Sequence, residues 1–82
     1  SPEDLVIEKV ETYLKRKKIR DLYDIYFLTH FVENKQKIKD YLIKLIKNYE
    51  KPEDEKNLAT IIIVGAVPSS EKLLTEIRKW AK

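Results

Sequence analysis

Cysteine and methionine are absent from this 82-residue chain, while glycine and histidine occur once each and proline three times. Each shortage excludes something. Without cysteine there is no disulfide framework and no thiolate metal site. A lone histidine, His30, cannot build a histidine-rich metal site. The longest apolar run, Ile61-Ile62-Ile63-Val64-Gly65-Ala66-Val67, falls well below the ~18–20 residues that a bilayer span requires. No signal-peptide pattern opens the chain, so the expected location is the cytoplasm, with no membrane contact. With no methionine, Ser1 is not a natural start, and the expectation is a fragment of a longer protein.

What is present describes a globular domain. Apolar residues make up 43% and charged residues 38%, which places the chain away from disordered compositions. The length supports a single domain spanning residues 1–82. A core of this size rarely yields more than ~3–5 kcal/mol of net stability. The charge is mostly lysine and glutamate, with many isoleucines, a usage that resembles that of hyperthermophiles. The net charge of +3 is too small to mark a nucleic-acid binder by itself.

The periodicities predict an all-α fold, a small bundle of about five helices. Ser1-Pro2-Glu3-Asp4 combines a capping residue, a proline suited to the first turn and two acids at the positive helix end. The helix that follows runs to about Lys15–Lys18, with Val6, Ile7, Val10, Tyr13 and Leu14 on one arc and Lys9 and Arg16 at its edge. A second helix is expected from about Arg20 to Glu33. It is apolar nearly all round, so part of it should be covered by a further lobe. A third, from about Lys35 to Tyr49, carries Ile38, Tyr41, Leu42, Leu45, Ile46 and Tyr49 in a continuous stripe. Pro52-Glu53-Asp54 reads as a new start, leading to a helix that ends near Gly65. The β-rich run Thr60–Val64 argues for a strand there, but a lone strand would have nothing to pair with. After a turn and cap at Val67-Pro68-Ser69-Ser70, a last helix is expected to about Trp80.

The informative stretch is Arg20-Asp21-Leu22-Tyr23-Asp24-Ile25-Tyr26-Phe27-Leu28. Two carboxylates one turn apart on an apolar helix must be paired, protonated or bound to something cationic. Local pairing is one solution: Lys17 stands four residues before Asp21 and Arg20 four before Asp24. The other is a shared cavity in which these acids meet Lys9 and Arg16.

The run Pro2-Glu3-Asp4-Leu5 … Lys9 … Leu14-Lys15-Arg16 … Arg20-Asp21-Leu22-Tyr23-Asp24-Ile25-Tyr26-Phe27-Leu28 resembles the C-terminal half of the AbiEii/AbiGii-type nucleotidyltransferases. These are toxin-like members of the DNA polymerase β-like superfamily. They carry a lysine on one helix, then an arginine, then an Arg-Asp-x-Tyr-Asp helix; Lys9, Arg16, Arg20, Asp21 and Asp24 match these positions. The resemblance is specific over residues 2–28. It implies that Lys9 contacts nucleotide phosphates and that Asp21 is a late carboxylate orienting metal, nucleophile or Lys9. Asp24 completes the catalytic group, and Arg16 and Arg20 bind substrate. It also implies a catalytic N-terminal lobe whose Gly-Ser loop and Asp-x-Asp pair hold a nucleoside triphosphate and a divalent metal such as magnesium. None of that is in this chain, whose only glycine precedes an alanine, so no metal ligand is expected within it and the chain alone should be inactive. A tRNA or other RNA acceptor, an antitoxin and a homodimer are further partners compatible with this reading.

Two alternatives read the chain differently. The basic run Lys15, Arg16, Lys17, Lys18 and Arg20, flanked by Tyr13 and Tyr23, could bind nucleic-acid phosphates and stack on bases. The bundle could equally be a structural interaction domain. His30 reads as a helix-end residue, and Trp80 as core or core edge.

Overall fold

The computed structural model describes residues 1–54 and 69–81. Among them all regular structure is helical. There are four helices: α1 (Pro2–Arg16), α2 (Ile19–Thr29), α3 (Lys35–Lys47) and α4 (Ser70–Ala81). The fifth helix, expected from Pro52 to near Gly65, falls outside the described residues beyond Asp54. At its expected start, Glu53 and Asp54 form a turn.

The helices close a square: α1 packs on α2 and α3, and α4 packs on α2 and α3 from the opposite side. Each contributes three core positions at helical spacing. These are Val6, Val10 and Tyr13; Ile19, Leu22 and Ile25; Ile38, Leu42 and Leu45; and Leu73, Ile77 and Ala81. Tyr13 belongs to this core rather than to a nucleic-acid face. Its ring stacks on Tyr49 at 6.0 Å and its hydroxyl donates to the Glu50 carbonyl at 2.7 Å. No described helix is long and apolar enough to cross a membrane.

The helix ends show how a small core is supplemented. α1 begins as its sequence predicts, with Ser1 Oγ accepting from the Asp4 amide at 3.3 Å and Pro2 in the first turn. It ends at Lys17, a non-glycine residue in the left-handed region (φ 52°, ψ 47°). Lys17 is held there from two sides. Its amide donates to the Tyr13 carbonyl at 2.7 Å, and its own carbonyl accepts from the Glu53 amide at 3.0 Å. α2 lacks a capping side chain of its own. Asp54 supplies one from 35 residues away, accepting the Ile19 amide at 2.7 Å. The segment after α3 is thereby fastened to the α1–α2 corner.

α2 also stops earlier than expected, at Thr29 instead of Glu33. The reason lies on α1. Glu3 Oε2 accepts the amides of both Glu33 (2.9 Å) and Asn34 (3.0 Å), so these donors cannot continue the helix. The residues between make tight i→i−3 bonds, from His30 to Phe27, Phe31 to Leu28 and Val32 to Thr29. Asn34 then caps α3, its side chain accepting from the Lys37 amide at 3.3 Å. Ser69 caps α4 by accepting from the Lys72 amide at 3.2 Å.

Two predictions follow from these ties. Asp54→Ala leaves the first amide of α2 without its acceptor and should cost about 1 kcal/mol in a denaturant melt, the usual worth of an N-cap. An unchanged midpoint would remove Asp54 from the account. The Glu3 carboxyl is held below its ordinary value of 4.5, chiefly by the Asn34 amide and with help from the Glu33 amide, against the opposing effect of burial. A depressed folded-state pKa contributes stability that is fully present above 4.5 and is lost as pH falls through the lower folded value. Glu3→Gln should therefore flatten the acid limb of stability below that pH. Superimposable acid limbs would show that the tie contributes nothing.

Candidate functional site

The sequence predicted Lys9, Arg16, Arg20, Asp21 and Asp24 as site residues. Four of them meet at the α1–α2 interface. Lys9 projects from the middle of α1 and reaches across to α2, where its ammonium lies 2.9 Å from Asp24 Oδ2 and 3.4 Å from Asp21 Oδ1. Arg16, two turns along α1, places Nη2 3.5 Å from the second oxygen of Asp21. Arg20 stands apart, exposed and without an ion pair among the described residues.

The local-pairing alternative is not what the structure adopts. Lys17 turns back to the Leu14 carbonyl at 3.3 Å and lies 3.9 Å from Glu50, leaving Asp21 to cations of the preceding helix. Because these partners come from different turns of α1, the cluster fixes the register of α1 against α2. In the basic run, Arg16 pairs with Asp21 and Lys17 turns back to Leu14, while Lys15, Arg16, Lys18 and Arg20 are all exposed.

Burial separates the two carboxylates. The Asp21 side chain is 4% exposed and faces two cations; Asp24 is 32% exposed and Lys9 33%. A carboxylate out of solvent depends on its pairing, so Asp21 is committed to Lys9 and Arg16. Asp24 and the Lys9 head remain open to a ligand. The Lys9 ammonium is pushed above its ordinary value of 10.5, first by its hydrogen bond to Asp24, against burial, and then by the charges of Asp24 and Asp21. An ammonium held between two acids is a fixed point charge, the form in which lysine engages phosphate.

The two aspartates supply oxygen donors of the kind magnesium accepts. Both are occupied by cations, and among the described residues no three His, Cys, Asp or Glu side chains gather to hold a metal. These residues alone do not fit a resident metal centre.

Beside the ion cluster lies an apolar surface. Leu5, one turn before Lys9, is 47% exposed; Phe27 and Phe31, one and two turns after Asp24, are 50% and 55% exposed. Phe27 and Phe31 contact each other at 5.3 Å, and Tyr23 stacks on Phe27 at 6.5 Å. The apolar excess of α2 is thus divided between the core and this open face.

The Lys9 linkage gives an alkaline prediction. A raised folded-state pKa contributes stability that is fully present below the unfolded value of 10.5 and is lost as pH rises through the higher folded value. Lys9→Met should remove that alkaline loss, and it should lower stability at neutral pH because Asp21 then keeps only Arg16. A variant with the wild-type pH profile would mean that the Lys9 contacts carry no net energy.

Neither the search of curated proteins nor that of solved structures returned a match. A comparison with family models did. Residues 1–81 match the family described as "Nucleotidyl transferase AbiEii toxin, Type IV TA system". A match over that span, on a chain whose α1 lysine and arginine meet the paired aspartates of α2, identifies the protein as a member of the AbiEii nucleotidyl transferase toxin family.

Proposed function

We propose that this chain forms the basic and late-acidic half of a divided nucleotidyl-transfer site. The observation that carries the reading is the Lys9 ammonium lying between Asp21 and Asp24 on the open side of the α1–α2 pair, in a chain of this family. Lys9 contacts the phosphates of the incoming nucleotide. Asp21, buried against Lys9 and Arg16, holds the lysine in position. Asp24, at the exposed end, accepts a proton or a polar group of the substrate. Arg16 neutralises Asp21 and leaves part of Lys9's charge free for phosphate. Preorganised cations of this kind stabilise charge that spreads over the transferred phosphoryl oxygens.

Nucleotidyl transferases generally use a nucleoside triphosphate and a divalent metal. The metal would neutralise the phosphates and polarise the bond that breaks. Its principal ligands and the phosphate loop belong to a second, N-terminal lobe. The exposed Leu5, Phe27 and Phe31 surface beside the ion cluster suits the contact with that lobe. Membership of a type IV toxin–antitoxin family adds an antitoxin as a partner.

The test is made in a longer protein that carries both lobes. Lys9→Met and Asp21→Asn should each lower nucleotide transfer at least a hundredfold while the protein stays folded by circular dichroism. Lys9→Met should act largely through KM for the triphosphate. The 82-residue chain alone should transfer nothing. Full activity in either variant, or transfer by the chain alone, would overturn the assignment.

A further inference from the structure

A second feature lies at the far end of α2, away from the ion cluster. Tyr26, Thr29, His30 and Val32 on one side and Glu76, Lys79 and Trp80 on the other line an open cleft of about 500 Å³ between the end of α2 and α4. Its size falls in the ~300–1,000 Å³ range of small-molecule sites. Three of the seven lining residues have flat rings. Tyr26 and His30 meet edge to face at 5.1 Å, and Trp80 is the chain's only tryptophan. The Lys35 ammonium sits 5.3 Å from the Trp80 ring centre, adding positive charge at the indole.

The polar groups of the cleft are specific. His30 Nδ1 lies 3.2 Å from the carbonyl oxygens of Tyr26 and Phe27, which can only accept, so Nδ1 carries a proton. With Nδ1 as the donor, Nε2 is left as an acceptor for an N–H or O–H of a ligand. Lys79 is exposed and 3.7 Å from Glu76, a loose pair that a phosphate can displace. Glu76 supplies an acceptor on the same wall, matched to an exocyclic amino group of a base. A flat ring system bearing both amino groups and a phosphate satisfies all of these at once.

We infer that the cleft between the end of α2 and α4 binds a nucleobase stacked on Trp80, with the attached phosphate held by Lys79 and an N–H or O–H of the nucleotide donating to His30 Nε2. The occupant is a free nucleotide or a base in a single strand. Stacking on aromatic side chains is indifferent to sequence and is worth ~1–3 kcal/mol per base. The cleft is separate from the ion cluster. Asp21 and His30 are nine residues apart, about 14 Å of helix at ~1.5 Å per residue, too far for one phosphate to touch both. Tyr23, 6.4 Å from Tyr26, extends the aromatic surface along α2 toward the cluster, a path that a single strand could follow.

Trp80 emission reports the cleft directly, and the 82-residue chain can be titrated with AMP and with a hexamer of oligoadenylate at low salt. Saturable quenching is expected with one or both probes. Quenching by AMP with no gain for the hexamer identifies a free nucleotide. Tighter binding of the hexamer, falling steeply with salt, identifies a strand. His30→Ala and Lys79→Ala should each weaken binding threefold or more. Lys79 is an exposed residue, so its variant should keep the fold even if that of His30 does not. No saturable quenching by either probe, or unchanged affinity in the Lys79 variant, would overturn the inference. The reading of the Lys9 cluster stands or falls separately, on transfer activity.

Discussion

One lysine bridging two acids across a helix pair sets how α1 lies on α2. Lys9 reaches from α1 to both Asp21 and Asp24 on α2, and Arg16 closes the far side of Asp21. Since Asp21 is buried, its two cations offset the cost of taking its carboxylate out of water between α1 and α2. A shift of one turn between these helices would bury a carboxylate without its partner. A constraint that costs desolvation and fixes register is also what a catalytic group needs, because it holds a charge in place before a substrate arrives.

The rest of the molecule reads as support for that pair. Asp54 caps α2 from beyond α3, Glu53 and Glu50 hold the α1–α2 corner at Lys17 and Tyr13, and Glu3 ties the start of α1 to the loop entering α3. These are polar bonds to backbone at the ends of helices. A small core gains from them because each satisfies donors or acceptors that a short helix otherwise leaves open. The price is an α2 that is short and aromatic on its outer side. Its phenylalanines face outward beside the ion cluster, and its tyrosine and histidine line the cleft against α4.

Much of this was legible in the amino acids. The cap and first turn of α1, the stripe of α3 and the last helix follow from local rules, and the structure matches them to within a residue or two. The meeting of Lys9 and Arg16 with Asp21 and Asp24 was one of two arrangements that the residues left open, and the family resemblance favoured it. By spacing alone, Lys17 and Arg20 were equally good partners for the two acids. Lys17 is diverted because it closes α1 in a left-handed conformation that turns its side chain back along the helix. The early end of α2 was not legible. No glycine or proline marks it, and the cause is Glu3, thirty residues earlier in the chain. The same holds for Asp54 as a cap. Such long-range bonds to backbone leave no periodic trace in sequence, so pattern reading finds the helices and misses what ends them.

The central claim is that the Lys9 ammonium is held between two carboxylates and is the group that meets nucleotide phosphate. Residue-resolved acylation of the lysines measures both parts at once, in a protein carrying both lobes, with and without nucleoside triphosphate and magnesium. The account predicts that Lys9 reacts much more slowly than the exposed Lys18 in the free protein and is protected further by nucleotide, while Lys18 is unaffected. Equal reactivity of the two lysines, with no response of Lys9 to nucleotide, would contradict it.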